Sequence, residues 1–140
     1  MKILIAVDGS SHTKRMLAHL AAYDEWRAGT HEFSVFHTVL PVPARAASFV
    51  EANVVKNYYL DEAQKVFGPI RKFFDKQGID ATFVHKVGHP AAEIASFATK
   101  GKFDILMLGT HGHGSLGNLI MGSVATKVLG LCTTPVLLVR

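Results

Sequence analysis

Residues 104–126 read DILMLGTHGHGSLGNLIMGSVAT. Ile105 to Leu108 form an unbroken apolar run, the kind that fills a strand buried on both faces. The run stops at Gly109. A loop with Gly109, Gly112, Gly114 and Gly117 follows, and a second apolar segment begins near Gly122-Ser123 and continues as a helix through Val128-Leu129. Strand, glycine loop and helix start together present free backbone N–H groups to a phosphate. Glycines in such a loop admit φ > 0 and let a ligand approach without a Cβ in the way.

Working outward, the N-terminal Lys2 to Val7 is a short apolar strand that ends in Asp8-Gly9-Ser10-Ser11, a polar turn and helix N-cap. A helix is expected from Ser11 to Arg27, closed by Gly29. Glu32 to Leu40 is a second strand, rich in β-branched and aromatic residues and ended by Pro41 and Pro43. Ala44 to Glu51 reads as a loop. A long helix then runs to Gln77, with an interruption expected at Gly68-Pro69. Ile79 to Val87 is strand three, and Gly88-His89-Pro90 turns into a helix over Ala91 to Lys100, with Gly101 as its cap. Strand four is Phe103 to Leu108, the last helix runs from Leu119 to Leu131, and strand five is Val136 to Arg140.

Strict β-α alternation predicts a single-domain α/β fold over residues 1–140, an open parallel five-stranded sheet with helices on both faces, Rossmann-like. Ligands in such sheets sit beyond the carboxyl ends of the strands where the strand order reverses. With strand one at the centre and strand four across the switch, Asp8 and Gly109 meet at that crevice.

Composition narrows the function classes. The chain has 140 residues, 49% apolar and 19% charged, with a formal charge of +4. That supports one packed core and argues against disorder. The basic residues are dispersed, so nucleic acid is not an expected partner. No apolar run reaches the ~18 residues of a membrane span, and Asp8 cuts the first apolar run too early for a signal peptide. The lone Cys132 cannot form an internal disulfide, and the expected location is cytoplasmic.

Two familiar phosphate motifs fit poorly. Gly112 to Gly117 matches G-x-G-x-x-G. The dinucleotide fingerprint, however, belongs to the first βα unit and needs a later acid for the ribose, and no Asp or Glu follows Asp104. Gly117 to Ser123 has P-loop spacing, but Ser123 stands where the lysine should be. A third pattern fits completely: Gly109, two residues, Gly112, nine residues, Gly122, then Ser123.

On this G-x2-G-x9-G-[ST] pattern the sequence resembles the universal stress protein family, specifically its ATP-binding branch. The KILIAVDGS start, the GTHGHG loop, the GSVA segment and the final TPVLLVR sit where that family has them. The resemblance implies an adenine nucleotide alpha hydrolase-like sheet that binds ATP with Mg²⁺. Val7 and Asp8 would line the pocket at the end of strand one. Thr38 and Val39 would meet the adenine through backbone groups. Gly109, Thr110, His111, Gly112 and His113 would pass close to ribose and phosphates. Gly122, Ser123 and Val124 would hold the phosphates at the helix start. His113 stands where many members carry arginine, so one phosphate contact is weakened or made pH-dependent. The resemblance also implies a homodimer through Val136 to Arg140, which fits the need to cover an apolar edge strand, and a partner protein whose identity is unknown.

The resulting expectation is an ATP-binding stress-response or signalling module. The alternative is a slow ATPase or autophosphorylating enzyme on the same site. Phosphoryl transfer needs positive charge and a positioned water or acceptor. With no P-loop lysine and Asp8 as the one obvious acid, no catalytic residue is assigned. His111-x-His113 has a spacing metals can use, but no third ligand lies nearby, so no protein-bound metal is expected. His12, His19, His31 and His37 read as surface or satisfied histidines, and Cys132 as a small core residue. A flavin is disfavoured because no aromatic pair flanks the loop.

Overall fold

A computed structural model describes residues 1–112 and 121–140. In chain order its elements are β1 (Lys2–Ala6), α1 (Ser11–Ala22), α2 (Glu25–Ala28), β2 (Glu32–Val39), α3 (Ala44–Ala47) and α4 (Ala52–Gln77). They continue with β3 (Ala81–Val87), α5 (Pro90–Lys100), β4 (Ile105–Gly109), α6 (Ser123–Leu131) and β5 (Val136–Val139). The five strands form one parallel sheet in the order β3-β2-β1-β4-β5. β1 is central and β4 is its neighbour across the reversal, as the alternation of elements requires.

Side-chain alternation along the strands splits the core into two layers. On one face Ile3, Ile5, Phe33 and Val35 pack against Met16, Leu17 and Leu20 of α1 and Phe67, Ile70 and Phe74 of α4. On the other, Leu4, Phe36, Leu106 and Leu108 meet Ile94 and Ala98 of α5 and Ala125 and Val128 of α6. Phe67 and Phe74 are 1% exposed, so each contributes about 1.5–3 kcal/mol of burial relative to an exposed side chain.

That burial explains where α4 departs from expectation. The helix runs unbroken through Pro69. Proline forfeits its N–H and clashes with the residue before it, but here that residue is Gly68, with no Cβ to strike and open space around it. Ala63, Phe67, Ile70 and Phe74 form one buried stripe spanning the proline, and their packing holds the axis together.

The first helix differs the other way. It stops at Ala22, Tyr23 turns extended, and a separate turn, α2, follows with Arg27 paired to Asp24. The break lets Trp26 fold back against the α1/α4 core layer. The stretch expected as a loop before α4 contains the single-turn α3. Strands β3 and β4 begin two residues later than expected, and α6 begins at Ser123; residues 119–120 of the helix expected there lie outside the described residues. Gly78 closes α4 in the left-handed conformation at φ 65°, whereas at the end of α5 the left-handed residue is Lys102, at φ 52°, and not Gly101.

Candidate functional site

The carboxyl ends of β1, β2 and β4 and the N-terminus of α6 surround one cleft of about 630 Å³, within the usual range for a small-molecule site. Its floor is set at the end of β1. Asp8 is held by two bonds to Oδ1, from the Ser10 N–H at 2.9 Å and the Thr13 hydroxyl at 3.0 Å. The Asp8 N–H in turn donates to Thr13 Oγ1 at 3.1 Å. The N-cap of α1 is Ser10, whose side chain accepts from the His12 N–H. Asp8 is therefore not spent on capping; its carboxylate lies against Gly112 from across the cleft.

The motif glycines act by the space they leave. Gly122 has φ −73°, and the positive-φ glycines among the described residues are Gly9, Gly78 and Gly88, none of them in the motif. A Cβ on Gly112 would overlap Asp8 Oδ2. One on Gly109 would come within 3.0 Å of the His12 Cβ, and one on Gly122 within 3.1 Å of the Thr110 carbonyl oxygen. At Gly109 and Gly122 the neighbours thus lie closer than most Cβ atoms allow, and at Gly112 a side chain would have to displace the Asp8 carboxylate. The Gly122 N–H donates to the Thr110 carbonyl at 2.7 Å, tying the start of α6 to the end of β4. Gly122 as the N-cap brings no side chain to the start of α6, and the first residues of the helix, Ser123 and Val124, line the cleft at the positive end of its dipole.

The β1–β2 ladder ends where the Val7 N–H donates to the Phe36 carbonyl at 2.9 Å. Backbone groups alternate direction along a strand. Two residues on, the N–H and C=O of Thr38 point past the end of β1 into the cleft. Those of Val39 point the other way, and its carbonyl accepts from the Gly88 N–H at 3.0 Å.

Eleven of the twelve residues singled out from the sequence line this cleft: Val7, Asp8, Thr38, Val39, Gly109, Thr110, His111, Gly112, Gly122, Ser123 and Val124. His113 lies outside the described residues. The cleft also takes in residues that sequence reasoning passed over. His37 donates from Nδ1 to the Val7 carbonyl at 2.8 Å, which leaves its other ring nitrogen as an acceptor while the ring is neutral. Burial pushes the His37 pKa below the ordinary histidine value, outweighing the hydrogen bond to Val7 and the charge of Asp8. Glu62 adds a second carboxylate to the wall, so Asp8 is not the sole acid there; Lys65 pairs with it at 2.7 Å. Tyr58, Glu62 and Val66 recur at intervals of four along α4, and that stripe was the available signal. No lysine or arginine lines the cleft among the described residues.

The sequence model of the universal stress protein family matches residues 1–140. The chain belongs to that family. A universal stress protein of Thermus aquaticus, found in the 3′ region of a QAH/OAS sulfhydrylase gene, is 35% identical over 138 residues, covering 99% of this chain and 97% of that protein. Universal stress protein MJ0577 of Methanocaldococcus jannaschii is 28% identical over 152 residues. Its solved structure superposes with a TM-score of 0.81 over 99% of this chain and 94% of that one. The universal stress protein of Archaeoglobus fulgidus, solved in complex with dAMP, shares the fold at a TM-score of 0.68 and 22% identity, covering 100% of this chain and 98% of that one. Among the described residues no helix is long and apolar enough to cross a membrane.

Proposed function

We propose that this universal stress protein binds an adenine nucleotide, ATP with Mg²⁺, in the cleft at the end of the sheet and serves as a nucleotide-dependent stress-response or signalling module. The observation that carries the reading is the N-terminus of α6, tied by the Gly122 N–H to the Thr110 carbonyl at the end of β4, with Ser123 and Val124 in the cleft wall opposite Asp8. The dAMP complex of the Archaeoglobus fulgidus protein supports an adenine ligand for this fold.

In this reading the phosphates lie on the backbone N–H groups of Ser123 and Val124, with the exposed Ser123 hydroxyl as a further donor. The base edge meets the N–H and C=O of Thr38. Asp8 faces the phosphates, and its negative charge makes it a ligand to water or cation more readily than to an anion. Mg²⁺ would neutralise phosphate charge. Association through the open edge of β5 is part of the same proposal.

Slow hydrolysis on the same site is favoured by one observation, the second carboxylate from Glu62. Against rapid turnover stands the lack of cationic side chains in the described cleft wall, since stabilising the transferring phosphoryl group requires them. Mass spectrometry of the freshly purified, then denatured protein distinguishes the cases. ATP is expected to be released; ADP alone would point to turnover, and no nucleotide in a protein that also fails to take up added ATP would sink the proposal.

A further inference from the structure

Two acceptors on the α4 side of the cleft are left without a partner among the described residues. Alternation along β2 puts His37 on the face of Phe33 and Val35, toward α4, where the edge of the Phe67 ring meets it. Its Nδ1 bonds the Val7 carbonyl, which can only accept. In the neutral ring the proton is therefore on Nδ1, and Nε2 carries a lone pair. Burial lowers the His37 pKa and so keeps the ring neutral at neutral pH. Nε2 is not sealed: the buried, unpartnered side-chain atoms among the described residues are His12 Nδ1 and Thr38 Oγ1. Glu62 enters the same wall from α4, close enough for its charge to act on His37. One carboxylate oxygen takes the exposed Lys65 ammonium at 2.7 Å. The other has no partner among the described residues and is likewise open.

The helices α4 and α6 cover opposite faces of the sheet. Glu62 and His37 therefore look into the cleft from the side away from Ser123 and Val124, where the phosphates lie in the reading above. Phosphates offer no donor at neutral pH, and a carboxylate repels them. The donors of an adenine nucleotide are the hydroxyls of its sugar and the amine of its base. We propose that His37 and Glu62 form an acceptor pair that selects the ligand by its nucleoside half, taking hydrogen bonds from a sugar hydroxyl or from the base amine. This rests on the reading of the cleft as an adenine-nucleotide site. A ligand without that donor leaves desolvated acceptors facing nothing, and the cost falls on the complex. A carboxylate with no such role would only repel an anionic ligand, so the two roles predict opposite signs when Glu62 is replaced.

The test titrates ATP, its 2′-deoxy and 3′-deoxy forms and the analogue whose purine lacks the 6-amine into wild type, Glu62→Met and His37→Asn by calorimetry, with Tm measured for each protein. Glu62→Met keeps the chain length and drops the acceptor at a partly exposed position. His37→Asn keeps a donor for the Val7 carbonyl and withdraws the ring nitrogen. Each variant is expected to bind ATP about tenfold more weakly than wild type. One analogue is expected to lose about tenfold on wild type and little on Glu62→Met, and that analogue names the donor as sugar or base. Glu62→Met decides alone should His37→Asn fail to fold. If either folded variant binds ATP as tightly as wild type, or more tightly, the acceptor pair is overturned while the nucleotide reading stands. The pair is equally overturned if wild type binds all three analogues like ATP, or if the analogue penalty is the same in Glu62→Met. A wild-type protein that binds no ATP overturns the nucleotide reading itself.

Discussion

Gly122 and Ser123 are neighbours with different burdens. A valine at Gly122 would place its Cβ about 3.1 Å from the carbonyl that ties α6 to β4. Such a variant therefore loses stability as well as any phosphate path, and its binding defect would say little. Ser123 is exposed, at the first position of α6. A negative charge there complements the helix dipole by roughly 0.3–1 kcal/mol, yet it repels a phosphate seated on the same N–H groups. Ser123→Asp is thus expected to hold or raise the midpoint of urea unfolding while weakening ATP at least tenfold. Equal ATP affinity in the variant would place the phosphates elsewhere. Gly109, Gly112 and Gly122 were legible in the sequence by their spacing. Their physical reason was not, because it is the proximity of His12, Asp8 and Thr110, and those distances exist only once the strands are aligned.

Among the elements, β2 carries His37, whose protonation is coupled to folding through burial. His37 sits between the Val7 carbonyl, the edge of Phe67, the carboxylates of Asp8 and Glu62, and His85 on β3. Its folded pKa lies below that of the unfolded chain, near 6.5. The unfolded state then binds more protons than the native state as the pH drops through and below about 6.5, so stability rises with pH in that window. The contribution is present above the unfolded pKa and is lost as pH falls through the folded one. His37→Asn retains a donor for the Val7 carbonyl without the titration. The wild type is expected to lose more Tm than His37→Asn between pH 7 and pH 5; parallel losses would remove His37 from the acid response. Elements were read correctly to within a residue where periodicity and burial agree, as in β1 and α5. The reading failed at Pro69, where a local rule was overridden by the packing of Phe67, Ile70 and Phe74, and at Tyr23, where the pull of Trp26 toward the core broke a helix whose local sequence favours continuation. Glu62 and Tyr58 went unnoticed for the same kind of reason. Their stripe on α4 points at the cleft only because α4 crosses the sheet at that end.

For the molecule as a whole, two surfaces follow from the strand order. The sheet leaves β5 at an edge, with Leu106 and Thr110 donating to the carbonyls of Pro135 and Val139. By alternation the outward-facing N–H groups belong to Val136 and Leu138. If copies pair through this edge, Leu138→Pro removes an outward donor without touching the bonds to β4. Monomers are expected by light scattering with the circular dichroism of the fold retained; a persistent dimer would place association elsewhere. A charge at Leu138 would be a poorer probe, since the side chain packs on the α5/α6 core layer, where proline stays apolar and a charge would be desolvated. The second surface is the cleft, and its occupant is the central question. Calorimetric titration of ATP and Mg²⁺ into nucleotide-free protein asks it directly. Saturable binding of one ATP per chain, weakened in Ser123→Asp, is the expected result, whereas a flat titration with correctly folded wild-type protein would contradict the assignment of this cleft to an adenine nucleotide.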